Sequence, residues 1–317
     1  MINTVSIDTS IQEFSSAYHV PVLFHETIES LNIQPSGIYV DCTFGGGGHS
    51  KGILSKLNKQ GRLIAFDQDA DAEKNVPKDD ARILFVPHNF RHVQRFLKLH
   101  KINEVDGVLA DLGVSSHQFD EGERGFSTRF EGPFDMRMDQ RQSLTAADII
   151  HTYSESALHI LFEQFGEVSN SKTLAKHIVA TKKQMQVQTI AQFKAMISAV
   201  VKGNPNKYFA QVFQALRIEV NAEMEVLKEM LLQLNAIVKP GGRVAIITFH
   251  SLEDRLVKQF FKQANFESEE DDNPFIQQQK QIVWQPISKK PITASADELK
   301  KNNRSRSAKL RVAEKIG

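Results

Sequence analysis

Four consecutive glycines, Gly45 to Gly48, follow the run "GIYVDCTF" and precede "HSKGIL". Glycine permits positive φ and close approach by another group, so a cluster at the end of an apolar run suits a ligand. Asp67 closes a second apolar run, "RLIAFDQD", 26 residues after Asp41. A carboxylate there can accept both ribose hydroxyls of an adenosine-containing ligand, with Asp69 and Asp71 as alternatives. Phe90 closes a third run, "ARILFVPHNF", where an aromatic ring can stack on adenine, although a lone Phe is more often core. Asp111 closes a fourth, "VDGVLADL". Further on, "FHSLEDR" brings His250, Ser251, Glu253 and Arg255 to a strand end, where they orient a base or phosphate or merely cap a helix.

These residues need elements to hold them. "GIYVDCTF" and "RLIAFDQD" read as buried strands, and "SKGILSKLNK" between them as a short helix. That is a βαβ unit, and a flexible linker has no place inside it. The dinucleotide pattern G-x-G-x-x-G fails: counted from Gly45 its last place is Ser50, and from Gly46 it is Lys51. This argues against a nicotinamide-dependent oxidoreductase. Asp41-x-Thr43-x-Gly45-x-Gly47 instead resembles the first motif of S-adenosylmethionine-dependent methyltransferases, with Thr in the first glycine place.

The chain has 317 residues, 41% hydrophobic and 24% charged, with a net charge of +1. The longest apolar run near a strand, "VAIITF", is far too short to span a membrane, so no membrane partner is expected. One cysteine, Cys42, excludes an intrachain disulfide and fits a reducing compartment. No Lys or Arg precedes Lys51, so the N-terminus lacks the basic start of a signal peptide and a cytoplasmic location is expected. The segment "ESEEDD" is acidic, whereas Pro286 to Gly317 holds nine Lys or Arg against three Asp or Glu. Arg and Ser alternate in "NNRSRSAKLR", which suits an arm contacting phosphates, with a solvated terminus as the plain alternative.

From Gln118 the α/β alternation stops and four helical segments follow, with Ser154 and Thr189 as N-caps. A long amphipathic helix is expected from Phe209 through Met224 to Ile237, before "KPGG" turns into the strand "RVAIITF". The expected fold is α/β, a Rossmann-like methyltransferase sheet with a helical insertion. Residues 1–117 and 214–317 form the discontinuous core, and 118–213 the insertion that recognises substrate. The stretch "RGFSTRFEGPFDMRMD" mixes Arg124, Arg129 and Arg137 with Phe126, Phe130 and Phe134, a composition suited to a splayed nucleotide. No metal site is expected. His88 and His92 lie at i, i+4, but without cysteine support and at a strand–loop transition.

The chain resembles the bacterial 16S rRNA (cytosine-N4)-methyltransferase family over nearly its whole length. The resemblance is carried in order by "HVPVLFHETIESLNIQPSGIYVDCTFGGGGHS", "DLGVSS", "RGFSTRFEGPFDMRMD", "FQALRIEVNAEM", "KPGGRVAIITFHSLEDR" and "NNRSRSAKLR". It implies S-adenosyl-L-methionine as methyl donor and, as acceptor, one cytidine in the decoding (P-site) region of 16S rRNA in the small ribosomal subunit. A homodimer is compatible with it. It also implies cofactor contacts from Gly47, Gly48, His49, Asp67, Phe90, Asp111 and Gln118. The family's usual Pro before that Gln is His117 here, and its "NPRSRS" is "NNRSRS". Asp111 and His250 are the candidates for a catalytic contact. The group that accepts a hydrogen bond from cytosine N4 stays open between Asp111, a nearby main-chain carbonyl and Ser115. A non-catalytic assembly factor and a DNA cytosine methyltransferase are the rivals. The loop and its two acids oppose the first, and the missing Pro-Pro-aromatic motif opposes the second.

Overall fold

The computed structural model describes residues 21–266 and 282–316. The N-terminal 20 residues and "ESEEDD" lie outside them. The strands are β1 (Ile38–Asp41), β2 (Arg62–Phe66), β3 (Ile83–Val86), β4 (Val105–Asp111), β5 (Val238–Thr248), β6 (Trp284–Pro286) and β7 (Lys309–Lys315). They form one sheet in the order β3-β2-β1-β4-β5-β7-β6. The first five are parallel to one another, and β7 runs antiparallel to both β5 and β6. The chain direction reverses between β1 and β4, the switch point where open parallel sheets leave a crevice at their carboxyl ends.

Alternate residues of the same strands reach opposite apolar layers. Val40, Ile64, Val108, Val244 and Ile246 belong to one, and Tyr39, Leu63, Leu109, Ala245 and Ile247 to the other. Burial on both faces explains why these strands read as unbroken apolar runs. The β3 strand ends at Val86, before Phe90, which opens a 3-10 turn capped by Asn89. The strand expected to reach Phe90 therefore stops short, because Asn89 turns its side chain onto the Arg91 amide.

The helices of the sheet's first half are α1 (Phe24–Ser30), α2 (Gly48–Lys56), α3 (Val93–Leu99) and α4 (Ser116–Asp120). Then come α5 (Ala146–Thr152), α6 (Glu155–Gln164), α7 (Ser171–Thr181), α8 (Ile190–Ile197) and α9 (Pro205–Asn221). This group packs around its own apolar cluster, where Phe134 stacks on Phe193 at 4.5 Å and Phe213 closes in at 5.6 Å. Ser154 caps α6 and Thr189 caps α8, each through a side chain accepting the N3 amide.

The long helix expected from Phe209 to Ile237 is broken. α9 ends at Asn221, Ala222 takes a left-handed φ of 48°, and α10 (Glu223–Ile237) starts anew. Asn221 explains the break. Its Oδ1 accepts the Met138 amide at 2.8 Å and its Nδ2 donates to the Met136 carbonyl at 2.9 Å, tying the helix end to a loop far away in sequence. α11 (Ser251–Gln263) follows β5, and α12 (Ala296–Lys301) precedes β7.

The basic tail is not a free arm. Leu310, Val312 and Ala313 of β7 are buried, and the strand lies inside the sheet. The alternation in "KLRVAEK" was the signal for it.

Candidate active site

At the carboxyl ends of the central strands lies a cavity of about 770 Å3, within the range of small-molecule sites, about 300–1,000 Å3. The glycine loop forms one wall. Gly45 and Gly47 have φ of 50° and 73°. A Cβ on Gly47 would come 2.8 Å from the Phe44 ring, and one on Gly48 would collide with Pro21. Two of the four glycines are thus required by the chain's own packing, and Gly45 by its turn.

Three hydrogen bonds, one of them fully buried, brace this loop. Asp41 accepts the Ser50 hydroxyl at 2.7 Å and the Thr43 amide at 3.0 Å. The Thr43 hydroxyl then accepts the Asp111 amide at 2.7 Å. Threonine in a glycine place is therefore a strut joining β1 to the end of β4. Asp67 accepts the Gly45 amide at 2.7 Å through Oδ2 and the Asp69 amide at 2.8 Å through Oδ1. Burial pushes its pKa up to about 6 against those stabilising amides. Each oxygen keeps a second lone pair for a ligand hydroxyl.

Asp69, the alternative acid, is spoken for. It takes the Gln118 side-chain amide at 2.7 Å and the Arg124 guanidinium at 2.8 Å on the same oxygen. Gln118 also accepts the Ser115 amide at 3.1 Å in a capping box for α4. Gln118 lines the cavity with both polar ends of its side chain engaged internally. Phe90 also lines it, partly buried against the sheet core.

His49 lies in the first turn of α2 and is buried. Its Nε2 lies 3.1 Å from the Val22 carbonyl, which only accepts, so Nε2 carries the proton. Burial pushes its pKa down to about 4, so the ring is neutral, and it stacks on Phe24 at 6.0 Å. Its bare Nδ1 faces Asp111 Oδ2 at 3.6 Å. Burial first, then the charges of Asp41 and Glu253, push Asp111 up to about 8. Asp111 Oδ1 is buried with no hydrogen-bond partner. A buried acceptor without a donor, in a site crowded by carboxylates, fits a cationic ligand.

The far wall was only half legible in the sequence. Phe249 and Glu253 line the cavity, together with Asn221 and Glu223. His250 stands behind Glu253. It is the N-cap of α11, with Nδ1 3.4 Å from the Glu253 amide and Nε2 3.2 Å from Glu253 Oε1. Any action of His250 on a ligand therefore passes through Glu253. Arg217 of α9 grips Glu223 in a two-point pair at 2.8 and 2.9 Å. Ligand atoms of Glu223, His250 and Glu253 fall within 4.8 Å of one another, a grouping that could hold a metal ion. The Arg217 guanidinium already supplies positive charge there. Among the described residues the separate pair His88 and His92 falls in no such grouping, and His88 stacks on Phe96 at 4.7 Å.

Most of "RGFSTRFEGPFDMRMD" is framework. Arg124 is buried, Phe126, Phe134, Met136 and Met138 are core, and Arg137 pairs with Asp135 at 2.7 Å. Only Arg129 and Phe130 among its Arg and Phe residues are exposed. Arg129 lies over the Phe119 ring at 5.5 Å, and Arg304 of the tail lies over that ring at 5.8 Å.

The glycine loop, its two acids and the switch-point cavity lead to one comparison. Residues 16–316 match the model of the MraW methylase family. The chain belongs to the MraW methylase family. A protein of Bacteroides fragilis named ribosomal RNA small subunit methyltransferase H is 50% identical over 306 residues, covering 96% of this chain and 100% of that one. Its namesake from Azobacteroides pseudotrichonymphae is 52% identical over 307 residues, covering 94% and 98%. MraW methylases depend on S-adenosylmethionine, which is the cofactor of this methyltransferase. The residues present fit it: Asp111, on the cavity wall, would face its cationic end, and Asp67 keeps free lone pairs beside the loop.

Proposed function

We propose that this chain methylates N4 of one cytidine in the decoding (P-site) region of 16S rRNA, within the small ribosomal subunit in the cytoplasm. The observation that carries the reading is the placement of Asp111. It ends β4 and lines the same cavity as the glycine loop and Glu253, its side chain 24% exposed and its buried Oδ1 without a partner. The names of the relatives, which specify small-subunit ribosomal RNA, support the substrate class.

When bound, S-adenosylmethionine supplies an electrophilic methyl group on a sulfonium centre. The chain's part is placement. Gly47, Gly48 and His49 set the loop, and Asp67 offers lone pairs to the ribose. Phe90 gives an apolar face to the adenine, Gln118 fixes the rim through Asp69 and Ser115, and Asp111 accepts from the cationic end. The lone pair of cytosine N4 is conjugated into its ring, so the attacking nitrogen must be held in line with the carbon it meets, at about 3 Å. Polar groups around N4 then supply the remaining stabilisation.

We assign residues 118–213 to RNA recognition. Support comes from exposed Arg129 and Phe130, which suit stacking and charge contact with an unpaired nucleotide. The target base must be flipped out to enter the cavity.

The test is incubation of unmodified small ribosomal subunits with the enzyme and a labelled donor, followed by nucleoside mass spectrometry. Label in N4-methylcytidine is expected. Label in 5-methylcytidine, or in ribose alone, would overturn the assignment.

A further inference from the structure

We propose that Glu253, seated on His250, receives the exocyclic amine of the target base and thereby makes the site select an aminopyrimidine over an oxopyrimidine. The inference rests on the cytosine reading above and names the acceptor that the sequence left open.

Glu253 is only 2% exposed, yet it lines the cavity. Its Oε2 accepts the Phe249 amide at 2.8 Å and lies 3.4 Å from the His250 amide. Its Oε1 faces His250 Nε2 at 3.2 Å, outside good hydrogen-bond alignment, so Oε1 retains accepting capacity. As the N3 residue of the α11 capping box, it does work that glutamine does equally well. A buried carboxylate is far costlier than an amide, so capping alone leaves its charge unexplained. His250 beside it first, then the charge of Arg217 and the Phe249 amide, hold it below the usual Glu range despite burial.

Asp111, across the same cavity, is driven the opposite way, partly by Glu253 itself. Two carboxyl groups pushed apart in this way take different roles. The ionised one is the better acceptor, and carboxylates accept from the cytosine N4 amine. Uracil would instead set its O4 lone pairs against the same carboxylate. Of the candidates considered from sequence, Ser115 is committed to capping α4, and Asp111 faces the cofactor loop. His250 acts as a positioning residue: its main-chain amide lies on Oε2, its Nδ1 accepts the Glu253 amide, and its ring stands beside Oε1.

The test compares cytidine and uridine monophosphates as inhibitors of label transfer to unmodified small subunits, for wild type and Glu253→Gln. Glutamine keeps the cap: its carbonyl takes the place of Oε2 and its NH2 that of Oε1, turning an acceptor into a donor. Wild type should favour the cytidine nucleotide at least about tenfold, and the variant less than about twofold. The variant's affinity for S-adenosylmethionine by calorimetry should stay within about threefold of wild type, showing an intact pocket. A tenfold preference that survives in the variant overturns the acceptor role alone. A wild type with neither preference nor N4-methylcytidine product overturns the cytosine reading, and the acceptor role with it. A purely structural role for Glu253 would lower donor affinity and leave the preference unchanged, which also overturns the proposal.

Discussion

Arg124 and Asp69 form an ion pair at 2.8 Å, with both side chains less than a tenth exposed and 55 residues apart in the chain. The pair joins the segment after β2 to the Arg- and Phe-rich loop. Arg124 also donates to the Arg137 and Met138 carbonyls, so one guanidinium holds the cavity rim to the helical insertion.

Arg124→Met should therefore destabilise the protein by about 3 kcal/mol, because it strands a buried carboxylate and two carbonyls. Urea unfolding followed by circular dichroism measures it. A loss under about 1 kcal/mol would mean that Gln118 and water satisfy Asp69 without the arginine.

Asp67→Ala removes the acceptor that holds the Gly45 and Asp69 amides as well as the lone pairs offered to ribose. The dissociation constant for S-adenosylmethionine should rise at least about tenfold in calorimetry. Unchanged affinity would transfer the ribose contact to another acid, and Asp71 comes first because its side chain is 35% exposed against 9% for Asp69.

Asp111 makes the folded protein pH-sensitive. Between its ordinary 3.8 and about 8, the folded state holds a proton that the unfolded state has lost, so stability falls as pH rises across that window. Asp111→Asn removes the titration. The variant should gain about 1–2 kcal/mol over wild type at pH 8, a modest fraction of the nominal shift because the side chain is partly solvated, and much less near pH 4. It should also lose methyl transfer. Thermal unfolding at both pH values and the labelled-donor assay read the two effects, and an equal stability change at both values would refute the linkage.

The tail calls for point changes. Removing it before Lys300 takes β7 out of the sheet and should leave an insoluble chain. Lys300, Lys301 and Arg306 are exposed, and replacing all three by alanine spares the strand. Binding to unmodified small subunits should weaken, with a log–log salt slope flatter by roughly one unit per lost phosphate contact. An unchanged slope, in binding across a salt series, would make these side chains part of the solvated surface.

The sequence by itself determined the local grammar of the protein. Period-two and unbroken apolar runs placed β1, β2 and β4, the glycine cluster placed the turn between β1 and α2, and Ser154 and Thr189 marked helix starts. Each depends on residues within a turn or a strand of one another, so the signal is complete in a short window. Tertiary structure alone decided the rest. The left-handed break at Ala222 exists because Asn221 bonds to Met136 and Met138, more than 80 residues away. Gln118 and Arg124 are separate residues in the sequence, and only the fold joins both to one oxygen of Asp69 at the cavity rim. Glu253 reads as a helix cap until burial beside Asp111 gives its charge a consequence. Desolvation and pairing arise only when surfaces distant in sequence meet, and they fix which carboxylate is charged and what each wall of the cavity can hold.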